Sequence, residues 1–215
     1  CKLIVEADEK LHIYSGASTT ETGGSVGFGQ SIVRLERSGQ GDLLVIGAAY
    51  ASDYTNYGGV AYALTGTLND GDKAKNSAEF QVYGDKDYAY VGERLGRVRD
   101  LDGDGAEELL VSLNWPVEDG TFGAVAVMSG AFAGTTPVTS CSLLLYSDDD
   151  PSGTSYSPNQ TLDGVGDHDA DGVADLVMGD PNFTNTAGIT TGKVWVIPAN
   201  HVGSYRLHEV AVATI

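Results

Sequence analysis

Apolar residues in this chain come in short, β-branched runs closed by Gly, Asn, Asp or Ser, and no 3.6-residue periodicity persists long enough for a helix. The runs recur in a fixed order. FGQSIV (Phe28 to Val33), LGRVRD (Leu95 to Asp100) and a weaker LDGVGD (Leu162 to Asp167) each precede a polar loop. DLLVIGAAY (Asp42 to Tyr50), ELLVSLNWP (Glu108 to Pro116) and DLVMGDP (Asp175 to Pro181) follow it. A third strand recurs as GGVAYALTG from Gly58, FGAVAVMSG from Phe122 and TGKVWVIPA from Thr191. With Asp42, Glu108 and Asp175 equivalent, the spacings are 66 and 67 residues. EKLHIYSG from Glu9, preceded by KLIVEA, reads as the end of an earlier copy. Outer strands are expected at EFQVYG (Glu79 to Gly84), SCSLLLYS (Ser140 to Ser147) and YRLHEVAVATI near the end. About four short strands per unit predict an all-β chain, and four-stranded units repeated radially are the signature of β-propeller blades. The expected divisions are a partial blade at 1–21 and blades at 22–84, 85–150 and 151–215.

Between the first and second strands of two repeats lies the same loop of alternating acids. DLDGDGAEE (Asp100 to Glu108) and DHDADGVAD (Asp167 to Asp175) both read D-x-D-x-D-G-x-x-acid. Carboxylates at positions 1, 3, 5 and 9, with Gly at 6 for a sharp turn, wrap oxygen ligands around one hard cation. Calcium accepts six to eight such oxygens, including backbone carbonyls, whereas magnesium resists an all-protein cage. The expected ligands are Asp100, Asp102, Asp104 and Glu108 with the Ala106 carbonyl, and Asp167, Asp169, Asp171 and Asp175 with the Val173 carbonyl. A solvated acidic turn is the alternative for one copy, and two copies in one register favour calcium. An EF-hand would need a bidentate Glu at position 12, where Val111 and Met178 stand, and flanking helices.

These residues resemble the FG-GAP repeats of integrin α-subunit propellers and their bacterial relatives. That pattern runs Phe-Gly, a D-x-D-G-x-x-D calcium loop, then a strand ending near Gly-Ala-Pro. Here Phe-Gly stands at Phe28-Gly29 and becomes Leu95-Gly96, while the closing triplet is Gly47 to Ala49, Asn114 to Pro116 and Gly179 to Pro181. The resemblance covers residues 22 to 200. It implies a propeller, seven-bladed in the integrin-like relatives, with calcium in hairpin loops between the first and second strands. Three full repeats would not close such a ring, so the terminal blades are expected to be covered by further sequence, a second copy or another subunit.

The first repeat departs from the loop pattern. Its equivalent stretch, RLERSGQGD, has Arg34 at position 1, Glu36 at 3, Ser38 at 5 and Asp42 at 9. A cation in a ligand position predicts a metal-free loop in which Arg34 pairs with Glu36 or Asp42.

Charge and residue usage then narrow the function. Thirty Asp and Glu against 12 Lys and Arg give a formal charge of −18, which argues against nucleic acid and anionic membranes as partners. No apolar run is long enough to span a bilayer. Calcium loops of modest affinity stay filled outside the cell, so an extracellular or cell-surface location is expected. Cys141 reads as a small buried hydrophobe, and a bridge to Cys1 is possible but unsupported by spacing. His12, His168, His201 and His208 form no metal spacing, and no nucleophile elbow or phosphate-binding loop appears. Of the eleven tyrosines, Tyr50, Tyr54, Tyr57, Tyr83, Tyr88 and Tyr90 cluster between the first two full repeats. They suit packing between blades or, less often, a ligand surface. The expected function is an extracellular calcium-binding module for protein or glycan ligands or cell adhesion, non-enzymatic, with structural calcium. The alternatives are a subunit of a surface assembly and the non-catalytic propeller of a secreted hydrolase.

Overall fold

A computed structural model describes residues 26–65, 74–116, 122–147, 161–185 and 187–214. The strands expected at KLIVEA and EKLHIYSG lie outside these residues. The first sheet contains β1 (Phe28–Leu35), β2 (Leu43–Ala48), β3 (Val60–Thr65) and, after the short helix α1 (Ala74–Ser77), β4 (Phe80–Tyr83). The second contains β5 (Leu95–Val98), β6 (Glu108–Pro116), β7 (Phe122–Met128) and, after the intervening β8 (Gly134–Pro137), β9 (Leu143–Tyr146). The third contains β10 (Thr161–Gly166), β11 (Asp175–Asp180) and β12 (Lys193–Pro198), followed in the chain by β13 (Gly203–Arg206), α2 (Leu207–Val210) and β14 (Ala213–Thr214). The fold is all-β, and each sheet is an antiparallel meander of four consecutive repeat strands.

Two strands leave their own repeat. β8 joins the outer edge of the first sheet, running parallel to β4 with Phe80 opposite Gly134, and β13 joins the second sheet beside β9 with Leu143 opposite Gly203. The second and third repeats thus each lend a fifth strand to the sheet before them, so the first two sheets have five strands where four were expected. The expected outer strand YRLHEVAVATI is likewise divided. Its first residues belong to β13, and only β14 pairs with β12. Between them, one helical turn buries Leu207 and Val210, three residues apart and therefore on one face, and the Glu209 carboxylate accepts from the Arg206 N–H.

The sheets stack face to face, which explains why the inner strands read as nearly continuous apolar runs. Successive residues of a strand point to opposite faces. Along β6, Leu109, Val111 and Leu113 enter the core shared with the first sheet, while Leu110 enters the core shared with the third. β7 divides in the same way, Ala124, Ala126 and Met128 facing one neighbour and Val125 and Val127 the other. Trp195, 1% exposed, anchors the core between the second and third sheets.

The first strands of the repeats lie next to one another, β5 packing against both β1 and β10. Glycine makes this approach possible: a Cβ at Gly96 would sit 2.7 Å from the Leu162 carbonyl oxygen. That is the position of the second residue in the Phe-Gly signature.

Candidate metal centres

Both acidic loops are scaffolded by their own backbone in the same way. The position-1 carboxylate accepts from later N–H groups of the turn: Asp100 from Gly103 at 2.7 Å and Gly105 at 2.9 Å, Asp167 from Asp171 at 3.0 Å and Gly172 at 2.9 Å. Position 3 accepts from position 5, Asp102 from Asp104 at 3.0 Å and Asp169 from Asp171 at 3.2 Å. Position 9 accepts from position 2, Glu108 from Leu101 at 2.8 Å and Asp175 from His168 at 2.7 Å. The backbone turns left-handed at positions 4 and 6, with φ of 79° and 92° at Gly103 and Gly105 and of 64° and 93° at Ala170 and Gly172. Glycine tolerates this conformation without steric cost, and Ala170 is held there against its preference.

This scaffold brings one carboxylate oxygen from each of Asp100, Asp102 and Glu108 within 4.8 Å of one another, and likewise from Asp167, Asp169 and Asp175. The first two acids of each triad are exposed, while Glu108 is 2% exposed and Asp175 fully buried. Glu108 uses Oε2 for the Leu101 N–H, and its buried Oε1 has no hydrogen-bond partner; Asp175 repeats this with Oδ1. A buried charged oxygen without a partner carries a full desolvation penalty. Burial, with Asp102 and Asp100 close by, raises the Glu108 carboxyl to about 7. An oxygen-seeking cation removes both costs, so the donor set fits a hard divalent ion.

Asp104 and Asp171 do not join these triads. Their carboxylates turn back on the chain, Asp104 accepting from Ala106 N–H and the Ser129 hydroxyl, both at 2.8 Å, and Asp171 from Val173 N–H at 2.7 Å. Ala106 and Val173 therefore sit at the expected position with their N–H groups engaged by position 5. His168 is exposed, as expected for the second residue of the loop.

The first repeat carries no such triad among the described residues. Arg34 instead donates from Nε to Asp42 and from a guanidinium nitrogen to Glu36, each at 2.8 Å, which keeps it firmly charged. The expected pairing is present with both acids. This arginine-filled loop also docks on the first acidic loop. Ser38 N–H donates to the Gly105 carbonyl at 2.6 Å and Glu107 N–H to the Glu36 carbonyl at 3.0 Å. Arg97 reaches Glu107 at 2.8 Å and Glu36 at 3.6 Å. Sequence reasoning passed over Ser129, Arg97 and Glu107, because nothing in the nine-residue loop pattern marks a serine 25 residues on or the pair that reaches Glu36 of the preceding repeat.

The tyrosines lie at the opposite end of the strands, in the connections after β2 and β4. Tyr57 stacks on Tyr88, and Tyr50 meets Tyr90 edge-on at 5.7 Å. Tyr57, Tyr88 and Tyr90 have φ of 52°, 61° and 49°, a strained conformation for aromatic residues. Tyr50, Tyr54, Tyr57 and Tyr88 remain exposed. Cys141 is a half-buried free thiol, raised to about 11 by burial. No helix among the described residues is long and apolar enough to cross a membrane. No protein-family model matches the chain, and no curated protein matches it.

Proposed function

We propose that this chain is a calcium-binding segment of an extracellular β-propeller, in which two ions rigidify the loops at one end and the molecule serves binding or adhesion. The carrying observation is the pair of orphaned buried oxygens, Glu108 Oε1 and Asp175 Oδ1, each on the buried carboxylate of an equivalent acidic triad at the start of a second strand. Calcium suits donors that are all oxygen, flexible and carboxylate-rich, and its millimolar extracellular supply suits loops with two exposed ligands. The Ala106 and Val173 carbonyls, with rotation of Asp104 and Asp171, would bring each site to five donor residues, which bidentate carboxylates would carry to six or more oxygens. A propeller is supported by three meanders in succession, by the packing of first strands on one another and by the lending of a fifth strand to the preceding sheet. The resemblance to FG-GAP repeats supports the same reading. We read the calcium as structural, the role that the resemblance to FG-GAP repeats implies.

Isothermal titration of chelator-treated protein should show two equivalents of calcium taken up at millimolar concentration or below. Magnesium at the same concentration should not displace them. No calcium uptake would refute the proposal.

A further inference from the structure

A cavity of about 340 Å³ borders the first acidic triad, between the second sheet and the segment linking β12 to β13. Asp102 and Glu108 line it on the loop side, Phe132 and Ser142 on the side of the second sheet, and His201 and Val202 come from the third repeat. The first repeat supplies an internal comparison. Aligning Arg34–Asp42 on Asp100–Glu108 sets Arg37 where Gly103 stands. β4 and β9 each take a parallel strand at their first residue, so Glu79 stands where Ser142 does. In the metal-free repeat Arg37 folds inward with its side chain 8% exposed and is ion-paired with Glu79. It also donates to the Gly41 carbonyl at 2.9 and 2.7 Å. The acidic-loop repeat has glycine and serine in place of this inward arginine and its exposed glutamate partner, and a cavity lies beside the triad.

The cavity walls define what would fill it. Phe132, Val202 and Leu101 supply an apolar side; Ser129, Ser142 and Asn200 supply short hydrogen-bonding groups; His201 adds an imidazole that packs on Tyr205. An ion held by the triad borders the same space through Asp102 and Glu108. Three carboxylates around one divalent ion leave net negative charge, which repels an anionic ligand, while a cationic ligand would compete for the carboxylates. Neutral hydroxyl oxygens suffer neither penalty, and calcium readily takes such oxygens into a shell of six to eight. The volume is at the small end of ligand pockets, roughly 300–1,000 Å³. We infer that the cavity is a calcium-dependent site for a neutral polyhydroxyl ligand, a single sugar ring with one apolar face.

This inference rests on the calcium reading, and the test separates the two. Calcium uptake is titrated first. Calcium-loaded protein is then titrated with a panel of neutral methyl glycosides, with saturation-transfer NMR as a second readout, and the series is repeated in chelator. At least one glycoside should bind saturably with calcium, and chelation should abolish it. Ser142→Phe, which fills the cavity without touching a triad residue, and His201→Ala should each weaken or abolish glycoside binding while calcium uptake stays at two equivalents. Calcium uptake without saturable binding of any glycoside overturns the site. Binding that survives chelator or Ser142→Phe overturns the location, and preference for acetate over every neutral glycoside overturns the ligand class. Failure of calcium uptake itself sinks the calcium reading and this inference together.

Discussion

Glu108→Gln separates a metal ligand from a buried hydrogen-bonding side chain, because the two roles predict opposite signs in chelator. The amide oxygen can still accept from Leu101 N–H, now 2.8 Å from Oε2, so the loop scaffold survives. With calcium present the variant loses one site. Ligand binding stabilises by RT ln(1 + [L]/Kd), about 2.7 kcal/mol per site at a hundredfold excess over Kd. At roughly 2–4 °C per kcal/mol for a chain of this size, that is a fall of about 5–11 °C in Tm. Without calcium, the wild-type protein must hold carboxylates from Asp100, Asp102 and Glu108 within 4.8 Å of one another. Two unit charges at that distance repel by about 3.5 kcal/mol at an effective dielectric near 20, and the exposure of both aspartates reduces this further. At a pH above about 7, where the Glu108 carboxyl is ionised, removing the buried charge relieves two such pairs and replaces a desolvated charge with a neutral amide. In chelator, the variant should therefore equal or exceed wild type in Tm. The assay is paired thermal unfolding of both proteins with millimolar calcium and with chelator. Equal destabilisation of the variant in the two buffers would show that Glu108 holds the loop through hydrogen bonds alone and would refute the metal-ligand argument.

In the first repeat, Arg34→Ala should lower Tm only slightly in thermal unfolding, since all three partners are substantially exposed and surface ion pairs contribute little. Calcium titration of wild-type protein should saturate at two equivalents and not three, and an ion coordinated by Glu36 and Asp42 would overturn the arginine-filled reading. In chelator, Glu108 ionises near 7 in the folded protein against its ordinary 4.5, so its neutral form favours folding. That contribution is full below about pH 4.5 and is lost as pH rises through 7. Chelated wild type should lose Tm across this window relative to Glu108→Gln, while calcium, holding the carboxylate charged, should remove this pH dependence from the wild type.

How much could be read from residue order depended on how local each feature is. The acidic loops were legible because a cation-binding hairpin draws its ligands from nine consecutive residues, Asp100 to Glu108 and Asp167 to Asp175. The Arg34 pairing was legible for the same reason, a cation standing two and eight residues from its acids. The inner strands were legible because burial on both faces demands apolar runs such as LLVIGA and the LVMG between Asp175 and Asp180. Three-dimensional contact decided the rest. GTTP and GSYR have no strand pattern, and they become β8 and β13 because an exposed sheet edge from the preceding repeat offers them hydrogen bonds. The short turn α2 forms where Leu207 and Val210 meet a core supplied mainly by other strands. Among equally spaced acids, only packing selects those that converge, since Ser129, from the end of the third strand, draws Asp104 away from the triad. The cavity is the least local feature of all. It is lined by Asp102, Ser142 and the 199–202 segment together, residues far apart in sequence that meet only when two sheets stack.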